Sequence, residues 1–189
     1  MSNRFISLDL EMANDNLTSV CQIGLAIFEH GRLVHTWETM VNPDGDFGYY
    51  QTKVHGITKN DVINAPKFHE VADHLSSLLA DQVICSYGMS DCSALIDLLP
   101  LPNCTWIDAS VVARKVWEYG KNRRKLREVC LEQNVTLTDA HNALADALAT
   151  GELMCLAMHQ KQLQLRNLMY FSKKVIVANR TKQVQTDLF

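Results

Sequence analysis

A chain of 189 residues with 47% hydrophobic content is long enough to bury one sizeable core. Its net charge of -3 excludes a generally basic coat for nucleic acid, so any grip on a polyanion has to be local. No stretch approaches the roughly 20 consecutive apolar residues of a membrane helix, and Met1-Ser2-Asn3-Arg4-Phe5 lacks the apolar centre of a secretion signal.

Arg4 to Glu11 alternates, with Ile6, Leu8 and Leu10 on one side and Phe5, Ser7, Asp9 and Glu11 on the other. A period of two predicts a strand and places Asp9 and Glu11 on one face. Val20 to Glu29 reads as a second strand, His30-Gly31 as a tight turn, and Arg32 to Val41 as a third strand closed by Asn42-Pro43-Asp44-Gly45. The three form an antiparallel meander. Thr58-Lys59-Asn60-Asp61 has the hydroxyl and the acid of a capped helix start. Pro66 to Leu79 carries Phe68, Val71, Ala72, Leu75, Leu78 and Leu79 at helical spacing. Val83 to Tyr87 and Cys104 to Ile107 read as short strands, and Ser90 to Leu99, Ser110 to Trp117, Arg123 to Gln133 and Asn142 to Gln160 as helices. Hairpins followed by alternating strands and helices predict an α/β fold, a mixed sheet flanked by helices. Residues 1–170 make one domain and residues 171–189 a tail, with no internal repeat or linker.

The six cysteines, Cys21, Cys85, Cys92, Cys104, Cys130 and Cys155, form no C-x-x-C pair, and most stand among apolar residues. They read as small buried hydrophobes of a reducing compartment, which places the protein in the cytoplasm. Basic residues concentrate in Lys121-Asn122-Arg123-Arg124-Lys125-Leu126-Arg127 and in Lys173-Lys174 with Arg180 and Lys182, each run a solvated face or a phosphate contact. Trp37, Trp106 and Trp117 read as core residues.

The chemistry lies in four acids and one histidine: Asp9 and Glu11, Asp91, and His141 followed by Asp146. If the fold brings these acids together, their repulsion must be relieved by protonation or by bound cations. Hard oxygen ligands beside one histidine suit divalent ions and a proton acceptor, which is equipment for attacking a phosphodiester with water. Residues five apart on a helix are separated by roughly 140° around its axis. His141 therefore belongs in the approach to the helix or its first turn, with Asp146 fixed by the helix body.

Asp9-Leu10-Glu11, Asp91 and His141-Asn142-Ala143-Leu144-Ala145-Asp146-Ala147 resemble, in order, the three motifs of the DEDDh exonucleases. Cys21-Gln22-Ile23-Gly24 and Val54-His55-Gly56-Ile57-Thr58 also look like that family's pattern, and the resemblance covers roughly residues 4 to 160. It implies a ribonuclease H-like fold. It also implies a 3′–5′ exonuclease in which Asp9, Glu11, Asp91 and Asp146 hold two Mg²⁺ or Mn²⁺ ions and His141 takes a proton from water. The expected substrate is a nucleic-acid 3′ end, read as single-stranded DNA mainly on the C-terminal pattern of Gln185 to Phe189, with trimming of short RNA as the alternative enzyme reading and a non-catalytic nucleic-acid or clamp-binding module as the alternative of another class. Met12 and Ala13 replace the family's usual Thr and Gly, and Tyr87 and Ser90 replace its usual Asn and Phe around Asp91. Met12, Ala13, His55 and Tyr87 are the positions that the resemblance sets against the terminal nucleotide.

Gln185-Thr186-Asp187-Leu188-Phe189 is similar to the pentapeptide by which bacterial proteins bind the sliding clamp, with Thr186 in place of Leu. An exposed Leu-Phe pair suits an apolar groove on a partner. Gln185, Asp187, Leu188 and Phe189 are the expected clamp contacts.

Overall fold

The computed structural model describes residues 3–99, 103–121, 124–172 and 175–177. β1 (Arg4–Met12), β2 (Val20–Glu29) and β3 (Arg32–Met40) pair antiparallel as the expected meander. His30 and Gly31 both take positive φ, 50° and 78°, the backbone of a two-residue hairpin whose twist matches its strands. Next come α1 (Tyr49–His55), α2 (Lys59–Val62) and α3 (Phe68–Leu79). Strand and helix then alternate through β4 (Val83–Ser86), α4 (Ser90–Leu98), β5 (Cys104–Asp108) and α5 (Ala109–Val116). The chain continues with α6 (Leu126–Gln133), α7 (Ala143–Gln160), α8 (Leu165–Phe171) and β6 (Val175–Val177).

The sheet has six strands in the order β3-β2-β1-β4-β5-β6, with β4 parallel to β1 and β5 parallel to β4. β6 runs antiparallel to β5, so the sheet continues past the boundary at residue 170 that the sequence suggested. α1 and α8 were not foreseen either.

β1 is central and buried on both faces. Ile6, Leu8 and Leu10 pack with Leu75 and Leu79 of α3 and Leu95 of α4. Phe5 faces the opposite layer, with Val112 of α5, Val129 of α6, Leu153 of α7 and Leu168 of α8. Each such side chain contributes about 1.5–3 kcal/mol by leaving water. Asp9 and Glu11 lie on the Phe5 side, under α7. A third cluster, Ala13, Cys21, Ile57 and Val62, closes the end of β1 that carries the acids. All six cysteines are free, and five are buried. Among the described residues no helix is long and apolar enough to cross a membrane.

Candidate active site

The site is built by docking α7 onto β1 and β2. Asp9 is in register with Gly24 of β2, and Glu11 with Gln22. The start of α7 passes directly over Gly24. A Cβ there would stand 2.5 Å from the Ala143 carbonyl oxygen and closer still to the Leu144 nitrogen, so only glycine allows the approach. Gln22, buried, accepts a hydrogen bond from the Ala143 N–H at 3.0 Å. Ser7 donates to the Ala147 carbonyl one turn further on. Asn142 caps the helix by accepting from Ala145 N–H at 3.0 Å.

His141 stands just before the cap with φ 70°, outside the helix and exposed, while Asp146 lies in the first turn and is 9% exposed. This is the division that their five-residue spacing required. The His141 N–H donates to Asp146 Oδ2 at 3.3 Å. Asp146 Oδ1 is buried with no hydrogen-bond partner among the described residues. One ligand atom each of Glu11, His141 and Asp146 lie within 4.8 Å of one another.

Asp91 enters from α4, in the first turn after β4, and is 4% exposed. Its surroundings are fixed from behind: Ser86 donates to the Gly88 carbonyl at 2.6 Å and accepts from the Trp106 indole at 2.8 Å.

The electrostatics register the crowding. Burial, then repulsion from Asp91, Glu11 and Asp146, holds Asp9 well above the usual carboxylate range. Burial together with Asp146 and Asp91 pushes Glu11 up to about 8. Burial pushes Asp91 up to about 7, against hydrogen bonds from its own backbone, the Leu10 backbone and Ser86, with Asp146 adding repulsion. Burial raises Asp146 too, opposed by the His141 N–H and the His141 charge. Each of the four acids is thus close enough to feel the charge of at least one of the others, with Glu11, Asp146 and His141 the group drawn to within 4.8 Å of one another. The donor set fits a hard divalent cation: crowded carboxylates, an orphaned buried oxygen and an imidazole within reach.

A stability prediction follows. These acids hold protons in the folded state that the unfolded chain releases nearer its ordinary value, 4.5 for Glu11. Stability then falls as pH rises wherever the folded state binds more protons. In EDTA, the melting temperature should drop steadily from pH 4.5 to 8, and added Mg²⁺ should restore it most at the upper end. A metal-free melting temperature flat across that window, read by thermal-shift fluorimetry, would contradict the crowding.

The remaining expected contacts are placed differently. Met12 is half-buried at the end of β1, and its carbonyl accepts from His55 Nε2 at 3.2 Å. His55 Nδ1 accepts from Ile57 N–H at 3.0 Å, so both ring nitrogens serve the backbone. Burial lowers its pKa and the His141 charge adds to that, while the Met12 bond opposes it. Ala13 is fully buried; its N–H donates to the Ser19 carbonyl at 2.7 Å and its carbonyl accepts from Gly48 N–H at 2.7 Å. Both of its backbone polar groups are engaged within the chain. Tyr87 lines a cleft with His141, Asp146, Arg124, Lys125 and Arg127. Gln22, Gly24 and Ser7 were not named as site residues, although Cys21-Gln22-Ile23-Gly24 was singled out and a serine amid apolar alternation is a signal of its own. Gln185, Asp187, Leu188 and Phe189 lie outside the described residues, as do Lys173, Lys174, Arg180 and Lys182.

Known proteins share this layout. Over 183 residues the chain is 25% identical to the 3′–5′ exonuclease DinG of Staphylococcus epidermidis, covering 90% of this chain and 20% of that protein. Over 142 residues it is 25% identical to the PolC-type DNA polymerase III of Bacillus cereus, covering 72% of this chain and 10% of the polymerase. The chain thus spans a fifth or less of the length of these relatives. The solved structure of Exonuclease X in complex with 5′ overhanging duplex DNA has the same fold, with a TM-score of 0.73 at 19% identity over 89% of this chain and 98% of that one. Residues 6–154 match the RNase_T exonuclease family model, and with the DEDDh residues assembled at one end of the sheet the chain belongs to that exonuclease family.

Proposed function

We propose that this chain removes nucleotides one at a time from the 3′ end of single-stranded DNA, releasing nucleoside 5′-monophosphates in the cytoplasm. The observation that carries the reading is the convergence of Asp9, Glu11, Asp91 and Asp146 beside an exposed His141 held outside its helix. The four carboxylates would hold two divalent cations, Mg²⁺ or Mn²⁺, which supply a water of lowered pKa and compensate charge on the leaving oxygen. His141 would accept a proton from the attacking water on a ring nitrogen, which lies within 4.8 Å of a carboxylate oxygen of Glu11 and of Asp146. The positive φ of His141 sets its ring over the acids without breaking α7. DNA is favoured by the company the chain keeps, since one relative is a DNA polymerase and the Exonuclease X structure contains duplex DNA. A sliding-clamp contact through Gln185, Asp187, Leu188 and Phe189 rests on the sequence pattern alone.

The test uses 5′-labelled single-stranded DNA and RNA of one sequence, with Mg²⁺ or EDTA. A ladder shortening from the 3′ end on DNA, faster than on RNA and absent in EDTA, is expected. Faster loss of RNA would make the chain an exoribonuclease, and binding without cleavage would make it a non-catalytic module. His141→Ala should bind substrate and lose about 10²-fold or more in rate. Rates equal to the parent's from pH 6 to 9 would show that the proton goes elsewhere.

A further inference from the structure

Tyr87 stands where β4 gives way to the turn before α4. Its hydroxyl donates to the Arg124 carbonyl at 2.9 Å, across 37 positions of sequence. The bond ties the segment leading into α6 to the strand behind Asp91. What results is a cleft of about 490 Å³ whose lining includes His141 and Asp146 together with Arg124, Lys125 and Arg127. Arg124 is held by Glu132 at 3.0 Å and lies 5.3 Å from the centre of the Tyr119 ring. Lys125 and Arg127 are exposed, and among the described residues neither makes an ion pair.

A lone surface cation is ordinary. Two exposed cations at the lip of the cleft that His141 and Asp146 also line, neither in an ion pair among the described residues, form a track for a polyanion, because each phosphate neutralised releases counterions. We propose that Lys125 and Arg127 hold the phosphodiester next on the 5′ side of the scissile one. Tyr87 acts as a positioning residue that sets their distance from Asp146. The inference rests on the exonuclease reading and deepens it: the substrate class is an oligonucleotide of at least three nucleotides, since a dinucleotide has no second phosphodiester for the lip to grip.

The test compares the parent, the Lys125→Gln/Arg127→Gln double variant and Tyr87→Phe. The first readout is binding of a labelled oligothymidylate twelve nucleotides long, by anisotropy with Ca²⁺ across a range of NaCl. Single strands give a salt slope of about 0.7 per phosphate contact, so the double variant, which loses the one contact the pair makes, should lower the slope of log Kd by about 0.7. The second readout is hydrolysis with Mg²⁺. The KM for the twelve-nucleotide strand should rise about tenfold in the double variant with kcat within about twofold, and the preference over a dinucleotide should shrink. Tyr87→Phe keeps both charges, so it should raise KM with a smaller change in slope. An unchanged slope in the double variant, a parent that does not bind the strand, or a fall in kcat at constant KM would each overturn the proposal. A parent that binds but does not hydrolyse would refute the exonuclease reading alone, leaving the binding slopes to decide the lip.

Discussion

Asp146→Asn should lose about 10³-fold or more of the hydrolysis rate, yet melt higher than the parent at pH 8 in EDTA. The loss follows from removing a ligand whose Oδ1 is buried without a partner and whose neighbours Glu11 and His141 complete a cation-sized gap. Metal-held chemistry is worth several kcal/mol at the transition state, and each 1.36 kcal/mol is about tenfold in rate. The gain in melting temperature follows from the repulsion that Asp146 exerts on Asp9, Glu11 and Asp91. At pH 5 these groups already hold protons, so the two proteins should melt closer together there. Oligonucleotide ladders and thermal shifts at both pH values check it. Turnover like the parent's would end the metal-centre reading, and a variant that melts lower only at pH 8 would end the repulsion account.

Gly24→Ala should damage stability and activity together. The new methyl overlaps backbone at Ala143 and Leu144, which cannot rotate out of the way. Overpacking of this kind costs about 1–3 kcal/mol, or a fall of roughly 2–4 °C in melting temperature per kcal/mol for a chain of this size. The helix start must move, and with it His141 and Asp146. A displacement near 1 Å can cost about 10²-fold in rate. Gly151→Ala is the matched control. Its Cβ would lie 2.6 Å from Phe28 Cζ and closer to Cε2, at the middle of the same helix and two turns from its start. It should lower the melting temperature while sparing far more of the activity. Equal loss of activity in both variants would mean that general unfolding, and not the placement of the helix start, explains Gly24.

Much of this was legible because the physics was local. The alternation in Arg4 to Glu11 put both acids on one face, and the spacing of His141 and Asp146 forced them to opposite sides of a helix boundary. What the sequence hid depends on partners distant in the chain. α1 buries none of its residues, so no apolar period marked it. β6 is three residues long and exists by pairing with β5, which local pattern cannot reveal. α6 was expected from Arg123 and begins at Leu126, where the Glu128 carboxylate takes the Lys125 N–H at 3.0 Å. The commitment of Ala13 and His55 to backbone bonds became visible only once Ser19, Gly48 and Ile57 were placed around them.

The ties that seat α7, Gln22 to Ala143 and Ser7 to Ala147, join residues 121 and 140 positions apart. A chain emerging from the ribosome would carry Asp9, Glu11 and Asp91 long before it carried Asp146. Three acids on an unfinished sheet have no helix to frame them and no histidine beside them. The candidate site is therefore complete only when segments more than a hundred positions apart have come together, since α7 and the turn before it carry both Asp146 and His141.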